Sequence, residues 1–266
     1  MLYKSFQGWK LSALGMGAMR LPVIDGDDSR IDEAAAEQLV AYAMESGINY
    51  YDPAWGYHSG QSELVLGRLL RKYPRESYFL ASKFPGYDLA NMDKVEEIFE
   101  KQLEKCSVDY FDFYLFHNVC EMNIDAYLNP KYGIFAYLIK QKRAGRIRHL
   151  GFSAHGSYGV MKRFLHAYGA DMEFGQIQLN YLDWKFQDAK AKVELLLWHP
   201  CVGDGALARR PVGYIIRRRY RKTWEPSPGG ICPGLGVSVP AIDSQCDDGA
   251  LRHVQPGTDA GKYPHV

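Results

Sequence analysis

Residues 49–63, NYYDPAWGYHSGQSE, gather groups able to hold and move a proton. Ile48–Tyr51 reads as a short buried strand that stops at Asp52–Pro53. A polar, aromatic, glycine-bearing loop follows, and a helix begins near Gln61. Asp52 sits at the strand end and Tyr57 in the loop after it. Two further strand ends carry ionisable side chains: Lys83 in SYFLASKF (77–84) and His117 in YFDFYLFHN (110–118). Lys83 is flanked by apolar residues, so its charge needs a partner, which Asp52 from the neighbouring strand can supply. A lysine cation beside a tyrosine favours the phenolate and so eases release of the Tyr57 proton. His117 can donate a hydrogen bond to a substrate oxygen from the other side. So arranged, the four suit proton delivery to a carbonyl oxygen while hydride arrives at its carbon. Singly, each has a plainer use: Asp-Pro as a turn, tyrosine as packing, lysine as a solvated strand edge, histidine as a core residue. The chemistry rests on their convergence.

Convergence requires elements that bring strand ends together. Met1–Lys10 reads as a strand or hairpin, and LSALGMGAMRLP as a strand running into a glycine-bearing turn. Asp32 is placed to cap a helix through Ser46, with Gly47 as its stop, and Asn91 to cap a helix carrying Val95, Ile98, Phe99 and Leu103 on one face. GIFAYLIKQKRAG (133–145) reads as helix, IRHLGFSAH (147–155) as strand, Ser157–Tyr168 as helix and FGQIQLNY (174–181) as strand. A further helix begins at Phe186. Six strand–helix units imply a parallel sheet, and the near-continuous apolar strands imply burial on both faces. A doubly wound dinucleotide fold would need a third glycine after Gly15-Met16-Gly17, which the chain lacks. The polar residues lie instead at the ends of successive strands: Asp52, Lys83, His117, Ser153, and Gln178 with Asn180. A (β/α)8 barrel, of the TIM type, gathers such ends on one face. That is the expected fold class, with six of its units recognisable.

The 266 residues suffice for one large domain, and a formal charge of +1 makes no case for nucleic acid or an anionic membrane. No apolar run approaches the roughly 18 residues of a membrane span. Five cysteines show neither CxxC nor another metal spacing, and their odd number argues against a full disulfide set. A cytoplasmic setting with no metal is expected, and the oligomeric state is left open. The averages hide a seam near residue 196: eight of thirteen prolines and ten of twenty-six glycines lie beyond it, where no sustained period is visible. Residues 1–196 are therefore read as the barrel and 197–266 as a largely irregular tail.

DPAWGYHSGQSE, LASKF, DFYLFHN, GRIRHLGFSAH and QLNY, in that order, closely resemble the aldo-keto reductases. The resemblance spans about residues 3–196. It implies a (β/α)8 barrel that reduces aldehydes or ketones with NADPH or NADH. It further implies that Tyr57 is the general acid, that Lys83 and Asp52 tune it, and that His117 orients the carbonyl. Ser153, Gln178 and Asn180 would hold the nicotinamide carboxamide, with Gly17, Met19 and Arg20 near the cofactor from the first loop. Ala154 departs from the pattern, since many members carry Asn after the serine. AWGYHSGQSE looks most like a bacterial branch whose longer members carry a cysteine-rich, iron–sulfur-type C-terminal extension, and no such cluster is present here.

The tail does not follow that family. A seventh strand ending near MEP and an eighth unit with SGMS are expected, where the chain reads HPCVGDGALARRPVG and GALRHVQPGTDAGKY. Back-translated and read one nucleotide later, His199–Gly213 permits IPVWVMEPLRGGPLA, and Leu251–Tyr263 permits SGMSNLEQMLENI. A frameshift near Leu196–Leu197 is the expected cause. It would leave the first and sixth strands as open edges and remove cofactor contacts. The arginine run at 217–219 is then out-of-frame peptide rather than a nucleic-acid tail. Two alternatives to a carbonyl reductase follow: an inactive product of such a gene, and a non-enzymatic barrel that senses nicotinamide cofactor.

Overall fold

The computed structural model describes residues 1–179, 183–186, 188–198, 213–218 and 236–239. A hairpin comes first. β1 (Tyr3–Phe6) and β2 (Trp9–Ser12) pair antiparallel, with Phe6 opposite Trp9. Gln7 and Gly8 both take positive φ, the geometry a two-residue hairpin turn requires. Six strands then pair side by side in chain order, all parallel: β3 (Gly15–Gly17), β4 (Tyr50–Asp52), β5 (Phe79–Phe84), β6 (Phe111–Val119), β7 (Ile147–Ala154) and β8 (Phe174–Gln178). The main helices between them are α1 (Glu33–Glu45), α2 (Ser62–Leu70), α3 (Val95–Cys106), α4 (Ile124–Leu128), α5 (Ile134–Arg143) and α6 (Tyr158–Tyr168), with α7 (Asp183–Phe186) and α8 (Ala189–Trp198) after β8.

The expected helix starts were right at Asp32 and Ser157, whose side chains accept from Ala35 N and Val160 N. Asn91 does not cap α3. It ends a 3-10 turn (Leu89–Asn91) capped by Asp88, and its amide donates to Pro85 O. Helix α3 starts at Val95 after Lys94, with no side-chain cap.

The seam behaves differently from expectation. β9 (Gly213–Arg218) pairs parallel with β8, β10 (Gly236–Val239) pairs antiparallel with β9 and with β3, and the barrel closes. The edges of β3 and β8 are thus paired rather than open. Both closing segments, GYIIRR and GVSV, hold β-branched residues suited to a strand, and an unpaired edge accepts any extended partner. Their mutual antiparallel pairing sets them apart from the six parallel strands. The rest of the tail expected over 197–266, beyond Leu197–Trp198 and these strands, lies outside the described residues.

Two layers of core result from the period-2 alternation of the strands. Tyr50, Ala81, Phe113, Leu115 and Phe174 fill the barrel interior, and Phe6 and Leu11 of the hairpin pack onto them. The Phe6 ring lies 5.5 Å from Phe113 and 5.0 Å from His149, so the hairpin stoppers the N-terminal end. The intervening positions pack outward against the helices. Continuing the inward parity one step beyond Tyr50, Ala81 and Leu115 reaches Asp52, Lys83 and His117. The alternation that builds the core therefore also delivers the polar residues to the opposite end.

Candidate active site

Lys83 and Asp52 come from adjacent parallel strands and are 1 % and 0 % exposed. Lys83 Nζ donates to Asp52 Oδ1 at 2.5 Å and to Pro53 O at 3.0 Å. The other carboxylate oxygen accepts from Gln176 Nε2 at 3.0 Å, across 124 residues of sequence. The pair is therefore charge-compensated and hydrogen-bonded, the two conditions under which buried ions are tolerated. Gln176 was not foreseen. Its signal was there in QIQ, since Gln176 and Gln178 share the inward face of β8.

Tyr57 opens a 3-10 turn (Tyr57–Gly60), its N–H donating to Ala54 O. Its ring centroid lies 5.1 Å from Lys83 Nζ and 5.9 Å from the His117 ring, nearly perpendicular to it. The four residues expected to converge are thus brought together at the C-terminal strand ends. A second tyrosine, Tyr87, meets the His117 ring edge-on at 5.2 Å. Burial, then Tyr57, pushes Tyr87 up to about 12, so it remains a neutral phenol. Of the two tyrosines flanking His117, only Tyr57 lies against the ammonium. Tyr127 donates to the His117 carbonyl at 2.8 Å, and so fixes the backbone from which the imidazole projects.

The nicotinamide candidates are placed as follows. Gly17 pairs with Asp52 in the sheet, and Met19 and Arg20 are exposed on the loop after β3. Ser153 Oγ accepts from Asn118 N at 2.8 Å, at a bulge in β6 where Asn118 takes positive φ. Gln178 Nε2 donates to Asp183 Oδ2 at 2.7 Å. Asn180 lies outside the described residues.

Behind Lys83 lies a buried polar cluster that the strand-end pattern missed. Glu63, fully buried in the first turn of α2, accepts from Ser82 Oγ at 2.6 Å, Gln102 Nε2 at 2.6 Å and Lys105 Nζ at 2.8 Å. Gln102 also donates to the Lys83 carbonyl at 3.1 Å and accepts from Tyr114 Oη at 2.5 Å. Lys105 Nζ stands 4.5 Å from the Trp55 ring centroid in the loop that carries Tyr57. Nothing local to the GQSE segment discloses partners for Glu63 on α3 and β5.

The closed β/α barrel thus gathers Asp52, Lys83 and His117, with Tyr57 beside them, at one end. The profile of the Aldo/keto reductase family matches residues 13–198, and the chain belongs to that family, one of oxidoreductases. It is 24% identical over 206 residues to the NADH-specific methylglyoxal reductase of Escherichia coli K12, covering 70% of this chain and 59% of that one. It is 27% identical over 155 residues to "Probable aldo-keto reductase 1" of Glycine max, covering 55% of this chain and 42% of that one. The chain thus spans about half the length of the curated relatives it matches. Among solved structures, an aldo-keto reductase of Bacillus halodurans in its holo form aligns with TM-score 0.55 at 22% identity, over 79% of this chain and 73% of that one. A Bombyx mori aldo-keto reductase in complex with NADP aligns with TM-score 0.51 at 22% identity, over 67% and 58%. Among the described residues no helix is long and apolar enough to cross a membrane.

Proposed function

We propose that the chain is a reductase that converts aldehydes or ketones to alcohols at the expense of NADPH or NADH. One observation carries this: the buried Lys83–Asp52 pair, with the lysine 5.1 Å and the His117 ring 5.9 Å from the centroid of the Tyr57 ring. Tyr57 is the general acid. The Lys83 ammonium favours negative charge on its oxygen as the proton leaves. Asp52, oriented by Gln176, supplies the opposite charge that a buried ammonium requires. His117 holds the substrate oxygen within reach of Tyr57.

The residues present fit a nicotinamide ring. Ser153 Oγ accepts the Asn118 N–H and keeps its own hydrogen to donate, and Gln178, its amide nitrogen held by Asp183, keeps its carbonyl to accept. A primary carboxamide needs one donor and one acceptor of that kind. Bound NADPH or NADH supplies hydride to the carbonyl carbon. Gly17, with no side chain, permits close approach from the first loop, and the Arg20 cation suits the anionic part of the cofactor. Asn180 belongs to the same proposed set.

The test is loss of nicotinamide absorbance on adding a panel of aldehydes and ketones to purified chain, methylglyoxal included because the Escherichia coli relative bears that name. Turnover abolished by Tyr57→Phe supports the proposal. Absence of cofactor binding at millimolar concentration overturns it, and binding without turnover identifies a cofactor sensor instead.

A second reading has its own observations. The family match ends at residue 198, and beyond it β9 runs parallel to β8 but β10 runs antiparallel to both its neighbours, where a regular (β/α)8 barrel continues parallel. We infer that the coding frame shifts near Leu196–Leu197 and that residues 197–266 are out-of-frame peptide. Resequencing the coding DNA decides it: an intact frame whose codons exclude the two shifted strings rules it out.

A further inference from the structure

His58, directly after Tyr57, is 2 % exposed and takes no part in the chemistry above. It begins three consecutive residues in the left-handed region, His58, Ser59 and Gly60, with φ of 53°, 53° and 89°. For the first two, each carrying a Cβ, this conformation is strained. Such strain persists only where surrounding contacts over-determine it. The contacts here converge on one imidazole. Its Nε2 lies 2.9 Å from Leu21 N, and a backbone N–H can only donate, so Nε2 is the acceptor. The hydrogen of the neutral ring is therefore on Nδ1, which lies 3.0 Å from Asp28 O and 3.1 Å from Asp28 Oδ1. One ring thus grips both the start and the tip of the 18–31 loop, which is folded on itself by the Val23–Ile31 bridge. A neighbouring link, Ser62 Oγ to Ala18 O at 2.8 Å, ties the root of the same loop to α2.

We propose that His58 is a positioning residue that couples two loops, holding the one bearing Met19 and Arg20 in register with the one bearing Tyr57. This assignment rests on the reductase reading only for what the first loop touches. The coupling itself is a property of the free chain. Docking the first loop against His58 holds Tyr57 in its strained turn, and the turn in turn fixes the distance from Tyr57 to the cofactor side of the site. Binding at one loop is thereby felt at the other.

The experiment compares His58→Leu with His58→Gln by hydrogen exchange of the free chain and by cofactor fluorescence titration with NADPH. The leucine fills the volume with no acceptor. The glutamine carbonyl can replace Nε2 toward Leu21 N–H. In His58→Leu, exchange should rise about tenfold or more in peptides covering 18–28 and 53–61, with β5, β6 and β7 protected as in the parent. Cofactor affinity should fall about tenfold, and glutamine should restore both. Unchanged exchange in the two loops overturns the coupling. So does loss of protection throughout the chain in both variants, which would make His58 a core residue only. Parent turnover is assayed separately. A parent that reduces no carbonyl compound but shows the localised, glutamine-rescued response retains the coupling and refutes the reductase reading. A parent that turns over while His58→Leu exchanges as the parent does the reverse.

Discussion

At Lys83 a full positive charge sits inside a barrel at 1 % exposure, held by one carboxylate oxygen and one backbone carbonyl. Removing it leaves the Asp52 carboxylate buried without the Lys83 charge, with Gln176 still donating to it. Lys83→Met should therefore cost about 3–5 kcal/mol of stability in urea unfolding, the range for one partner lost from a buried pair. The double variant Lys83→Met, Asp52→Leu should cost less than the two single losses summed, because the stranded charge is gone. Tyr57 is half-buried, and losing its hydroxyl leaves the Lys83–Asp52 pair in place. Tyr57→Phe should lower kcat by roughly 10²–10⁴, the usual share of a general acid, while cofactor affinity and unfolding midpoint stay near the parent. Parallel steady-state kinetics, titration and melting separate the two residues. Asp52, Lys83 and His117 were legible because each stands at a strand end on the inward parity, and Tyr57 because it lies in the loop that follows Asp52. Gln176 obeyed the same parity and was passed over, since an amide two residues before another amide announces no charge.

Among the elements, α2 and α3 meet closely enough that Gly67 has no room for a side chain. A Cβ there would lie 2.6 Å from Lys105 O and 2.7 Å from Cys106 Cα, both backbone atoms that cannot swing aside. Helix propensity alone favours alanine over glycine by about 1 kcal/mol. The clash has the opposite sign and should win, so Gly67→Ala should destabilise by roughly 1–3 kcal/mol in urea unfolding. The same separation carries the Glu63–Lys105 pair, and cation–π contact with Trp55 should weaken with it, visible as a change in tryptophan fluorescence. Strand and helix identities came through in the sequence because buried strands alternate strictly and helices repeat at 3.6 residues. Boundaries were less legible. Asn91 has the right type for a cap, yet the chain makes one more 3-10 turn and starts α3 later, a choice set by packing rather than by the capping residue.

For the molecule as a whole, the closed N-terminal end offers a pH test. Glu173 accepts from His149 Nδ1 at 2.7 Å and pairs with Lys142. Burial pushes its carboxyl up, but these two partners outweigh burial and hold it below the ordinary range. A depressed carboxylate stabilises the fold above its unfolded-state value and loses that contribution as pH falls through its folded-state value. Stability should therefore decline on acidification below about pH 4.5, the ordinary glutamate range. Glu173→Gln should be less stable than the parent at neutral pH by on the order of 1 kcal/mol and show a shallower acid decline, read from melting temperatures across pH. The plug formed by Phe6 over Phe113, Phe174 and His149 lies at the same end. Closure at the seam is the feature local pattern did not show. Residues 213–218 and 236–239 hold β-branched residues but no sustained alternation, and they become strands where two unpaired sheet edges face them.

The sequence alone determined which residues point into the barrel and which of them stand at strand ends, because side-chain direction follows a period of two and needs no knowledge of neighbours. That was enough to name Asp52, Lys83 and His117 before any distance was known, with Tyr57 picked out in the loop that follows Asp52. Only the tertiary structure decided what each of them rests on: Gln176 against Asp52, the Glu63 cluster behind Lys83, and His58 spanning two loops. Those partners lie from 19 to 124 residues apart, and which buried polar groups satisfy one another depends on the register and closure of the barrel.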